Sequence, residues 1–155
     1  MPYSNSVIFG QLPEQGLSSI VILWTLRRMF ADEGETCCIE CAFGGHREQQ
    51  GVELFNALTD LFEDFKNNAD RKPFLLAPSS KNLSLDEAFL LAACEATQAA
   101  DLERAERFLS AFLGRRAFGE ELENLRLLGW CFLLRGQLIN APGIARAYQP
   151  VSKSK

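Results

Sequence analysis

Three of the five cysteines, Cys37, Cys38 and Cys41, crowd into five consecutive positions, and the sole histidine, His46, follows five residues later. Thiolate sulfur and imidazole nitrogen are the usual ligands of tetrahedral zinc, and the two-residue spacer of Cys38-x2-Cys41 lets both sulfurs reach one ion. The second half of such a signature is missing, because Cys94 and Cys131 stand alone. Both lie in apolar helical stretches, where a free cysteine acts as a small hydrophobe. The first reading of the patch is therefore small side chains in a tight helical turn, with no cofactor. The alternative is a metal-binding or redox-responsive site, with zinc as the metal and Cys37, Cys38, Cys41 and His46 as its ligands.

Catalysis finds no constellation to stand on. A Cys41–His46 nucleophile pair needs an electropositive setting, yet Glu33, Glu35, Glu40 and Glu48 flank it against a single Arg47. Asp60, Glu63 and Asp64 cluster on the polar side of a well-patterned helix. There is no Glu-x-x-His pair for a carboxylate-bridged metal centre, no phosphate loop and no nucleophile elbow. A non-catalytic role, as an interaction or regulatory module, is the expectation.

The elements that would position these residues are helical. The chain holds 23 Leu and 17 Ala against 4 Val, 6 Ile and 4 Thr. Unbranched Leu and Ala keep their rotamer freedom in a helix, whereas β-branched residues fit strands. With 155 residues, 47% of them hydrophobic, one domain can bury a real core. The expected fold is all-α, a compact bundle of five to six helices with a short extended clip near residues 72–77.

Punctuation divides the chain. Residues 1–17 read as an irregular arm, residues 18–138 as one helical domain, and residues 139–155 as a flexible tail. The first helix spans about 19–32, with Ser18 or Ser19 as its cap. Residues 36–43, TCCIECAF, form a short helix. The next, about 46–69, places Val52, Phe55, Leu58, Phe62, Phe65 and Ala69 on one stripe. Two prolines make 71–83 extended, with Phe74, Leu75 and Leu76 lying across the bundle. Ser84-Leu85-Asp86-Glu87 is a capping box that opens an Ala-rich central helix to about Gln98. Asp101 caps another helix, stopped by Gly114, and a last helix runs over about 119–137.

Charge narrows the partners. The net charge is −4 and the isoelectric point about 5.1, which argues against nucleic acid. The longest apolar run, Ile20 to Leu26, is far short of the ~20 residues of a membrane helix, and MPYSNSVIFG lacks the basic region of a signal peptide. No membrane association and a cytoplasmic location are expected. Three segments, 19–26, 85–96 and 127–134, are apolar on nearly every side, more than a bundle of this size can bury completely. The surplus predicts a homodimer or a protein partner, docked through Trp24 on the first helix or Trp130 and Leu133 on the last.

Overall fold

The structure, a computed structural model, describes residues 8–30, 49–117 and 119–143. In chain order they form a short strand β1 (Ile8–Gln11), a 3-10 turn (Leu12–Gln15), helices α1 (Leu17–Phe30) and α2 (Gln49–Asn68), strand β2 (Asn82–Ser84), and helices α3 (Leu85–Gln98), α4 (Leu102–Leu113) and α5 (Gly119–Leu134). The architecture is the expected all-α bundle. α3 packs against α4 and α5, and α2 bridges α5 and α1.

Local chemistry accounts for most element boundaries. On α2, Leu58, Leu61, Phe62 and Phe65 are buried while Asp60 and Glu63 face solvent, the one-sided burial that a 3.6-residue period produces. The capping box of α3 is complete: Ser84 Oγ accepts from the Glu87 amide at 3.2 Å, and Glu87 Oε1 accepts from the Ser84 amide at 3.0 Å. Asp101 caps α4 by accepting from the Arg104 amide. α5 ends at Leu134, short of the expected 137, in a Schellman motif. The Gln137 amide donates to the Phe132 carbonyl, the Gly136 amide to that of Leu133, and Gly136 takes φ +72°.

The core centres on α3. All its residues except Glu95 and Gln98 are buried. Its small side chains, Ala88, Ala92, Ala93 and Ala96, let neighbouring helices close in. At the crossing with α5 the approach is closest: a Cβ on Gly129 would stand 2.7 Å from Thr97 Oγ1.

Several expectations are corrected. The arm before residue 18 is not irregular throughout, since β1 pairs antiparallel with β2, aligning Ile8 with Ser84 and Gln11 with Asn82. The helix start moves to Leu17, so Ser18 and Ser19 lie inside α1 and cap nothing. Ser19 Oγ instead donates to the Asn140 carbonyl at 2.7 Å and accepts from the Asn140 amide. Residues 139–142 are accordingly not a frayed tail: Ile139 and Ala141 are buried, and the Asn140 side chain donates to the Gln15 carbonyl. The clip at 72–77 has no regular structure, but Phe74 is 40% exposed and only Leu75 packs against the core. The strand near it is β2. The expected helix at 36–43 lies outside the described residues.

Candidate functional site

Cys37, Cys38, Cys41 and His46 all lie outside the described residues. Among the described residues no group of three or more His, Cys, Asp or Glu side chains is arranged to hold a metal ion. Cys94 is wholly buried on α3, and burial pushes its thiol pKa up to about 12, which removes the thiolate that reactivity requires. Cys131 is half-buried on α5.

The structure gathers ionic residues of which the sequence places only Asp86 and Glu87, in the capping box, and Asp64, on the polar side of its helix. Arg27 on α1 and Glu87 in the first turn of α3 have fully buried side chains and form a two-pronged ion pair. Arg27 Nε donates to Glu87 Oε2 at 2.8 Å and Nη2 donates to Oε1 at 2.9 Å. Two more of its donors reach the carbonyls of Ser80 and Asn82. Glu87 also accepts from the Leu76 amide, besides that of Ser84. Beside it, the buried Asp86 is gripped by Arg71 at 2.7 and 3.0 Å and accepts from the Phe74 amide. Arg71 also donates to the Ala111 carbonyl, and its hydrogen bond to Asp86 raises its pKa further.

These two carboxylates fasten the chain between Arg71 and Ser84 onto the start of α3. Each oxygen of Glu87 accepts twice from the protein, so no lone pair is left to act as a general base or to ligate a metal. Buried carboxylates survive only with such compensation. The arrangement is structural.

A third pair lies at the same end of the bundle, where Arg71 packs against Gly114, the neighbour of Arg115. Arg115 donates to Glu121 at 3.0 and 2.6 Å, and its Nε donates to the Asn68 carbonyl. Asp64, expected on the solvent side with Asp60 and Glu63, turns instead toward Glu121. Burial first, and then the hydrogen bond with Glu121, raise its carboxyl pKa above the ordinary aspartate value.

A cleft of about 270 Å³ opens between Phe30, Phe65, Lys66 and the segment Arg71 to Pro73. Its Arg71 is committed to Asp86, and Lys66 donates to the Met29 carbonyl.

Among the described residues, exposed apolar side chains gather on one face of α5. α5 sits so close to α3 at Gly129 that Leu125, Leu128 and Phe132 are buried, and the ridge opposite them faces outward. That ridge carries Leu127, Trp130, Leu133 and Leu134. Trp130 is 56% and Leu134 62% exposed, and Leu138 just beyond the helix continues the patch. Gln98 pins this end by donating to the carbonyls of Gly129 and Gln137. Of the three predicted docking residues the structure therefore brings Trp130 and Leu133 onto one face. Trp24 is elsewhere: it is half-buried against the core, with the Arg28 guanidinium 4.7 Å over its ring.

Among the described residues, no helix is long and apolar enough to cross a membrane. Comparison with protein-family models, with characterised proteins and with solved structures found no match for this chain.

Proposed function

We propose that this protein is a non-catalytic helical interaction module that docks through the outward ridge of α5, and that its partner there is a second copy of the same chain. One observation carries the reading. Of eight large apolar side chains exposed on the described surface, five fall between residues 127 and 138. Scattered exposed leucines need no explanation, whereas a contiguous patch with an aromatic centre is the usual mark of an interface.

The pattern of the ridge favours self-association. Leu127 and Leu134 stand one heptad apart with Trp130 between them. Turned end for end, the ridge presents the same large–aromatic–large order, so two copies can meet antiparallel across a two-fold axis with Leu127 against Leu134. The buried free thiol of Cys94 suits the reducing cytoplasm, where this reading puts the protein. The patch of Cys37, Cys38, Cys41 and His46 has no part in it, and protein purified without added metal is expected to carry no stoichiometric zinc.

Light scattering over a concentration series tests the proposal. The expected species has twice the 17.3 kDa mass of the chain, and Trp130→Glu returns it to the monomer with the helical circular dichroism unchanged. A wild-type protein that stays monomeric at high micromolar concentration overturns the dimer.

A further inference from the structure

Where the end of α2 meets the start of α5, two carboxyl groups face each other across the seam. Glu121 is 2% exposed and holds both terminal nitrogens of Arg115. Asp64, within hydrogen-bonding reach of Glu121, accepts from Asn68 Nδ2 at 2.8 Å through Oδ1. Its other oxygen, Oδ2, is buried and accepts no hydrogen bond. Two ionised carboxylates in contact repel, and a buried oxygen without a donor is costly. A single proton on Asp64 removes both problems, since Oδ2–H then donates to Glu121 and the unit of Asp64, Glu121 and Arg115 becomes neutral.

Arg115, from the turn after α4, is the cation at the seam, and it is shared among Glu121, Asp70 and Asp64. Lys66, the nearby cation of α2, reaches the Met29 carbonyl instead.

We propose that Asp64 and Glu121 share one proton across the α2–α5 seam, forming a latch that holds while the proton is present and loosens as pH rises. Folding raises the affinity of Asp64 for a proton. The linked stability is therefore complete below the ordinary aspartate range and is lost as pH climbs through the raised value. The latch is a property of the bundle and does not depend on what the Trp130 ridge binds.

Asp64→Asn tests it, because the carboxamide is a permanent mimic of the protonated acid: its Nδ2–H can donate to Glu121 while its oxygen accepts from Asn68. At pH 8 the variant is expected to melt about 2–4 °C above the parent, with the gap closing as the pH falls through the raised value of Asp64. A variant that melts below the parent at pH 8, or a gap that does not change with pH, overturns the latch. Carbon NMR of the Asp64 carboxyl in the unmodified protein reads the same proton directly. A midpoint above the ordinary aspartate range supports the latch, and one within or below it overturns the latch.

Discussion

α3 and the second half of α5 are both almost unbroken runs of apolar side chains, yet they occupy opposite situations. α3 is enclosed by β2, α4 and α5, and even the two carboxylates of its first turn are buried. α5 has α2 and α3 on its inner side, and its outer ridge of Leu127, Trp130 and Leu134 meets solvent. Two properties separate them. The alanines of α3 shorten the distance to its neighbours, and the carboxylates of its first turn both find fixed partners. The bulky ridge of α5 keeps a second neighbour at a distance that the monomer does not fill. A helix that is apolar all round is thus a demand for neighbours, and only one of the two demands is met among the described residues.

The sharpest way to break the contrast is to attack the polar cage of α3. Arg27→Met leaves Glu87 buried without its cation and strips donors from the carbonyls of Ser80 and Asn82. Urea unfolding should register a loss of about 3–5 kcal/mol, the usual consequence of orphaning a buried charge. The pair at Glu123 and Arg126, on the exposed part of α5, supplies the counterexample, because solvent already screens such a pair.

A smaller effect is expected where the two helices touch. Gly129→Ala places a methyl group against Thr97 Oγ1 and must push α5 off α3, a strain of roughly 1–3 kcal/mol by the same measurement. A neutral result would mean that the crossing is looser than the closeness of Gly129 implies. The smallest effect belongs to the outer ridge. Leu134→Ala, compared at a concentration low enough to keep the protein monomeric, should change stability by no more than about 0.5 kcal/mol, whereas a loss of core size there would mean that the ridge is covered.

Local features were legible in the sequence and long-range ones were not. The part of the α2 stripe from Leu58 to Phe65, the Ser84–Glu87 capping box and the Asp101 cap are written within four residues of themselves, and the structure shows each of them. Gly136 was an equally local signal for the end of α5 and was passed over. Arg27 could not be placed, because the residue that lets it be buried, Glu87, lies 60 positions away. The β1–β2 pairing and the docking of Ile139 and Ala141 failed for the same reason: strands this short carry no periodicity, and their partners are remote. For the candidate site, the surplus of apolar helix faces was countable, which led to Trp130 and Leu133. It could not rank the helices, so it grouped with them Trp24, which is half-buried between the core and Arg28.

The clasp between Ser19 and Asn140 joins groups 121 residues apart in the chain, and this has a consequence for biosynthesis. As the polypeptide leaves the ribosome, α1 emerges ahead of this partner, carrying Ile22, Leu23 and Leu26, which end up fully buried. The Asn140 backbone that clasps its first turn is translated 121 residues later, and so remote a contact must also overcome a large loop-closure entropy. Until then the first turn of α1 lacks this cover, which makes the helix a natural client for a chaperone that binds exposed leucine-rich segments.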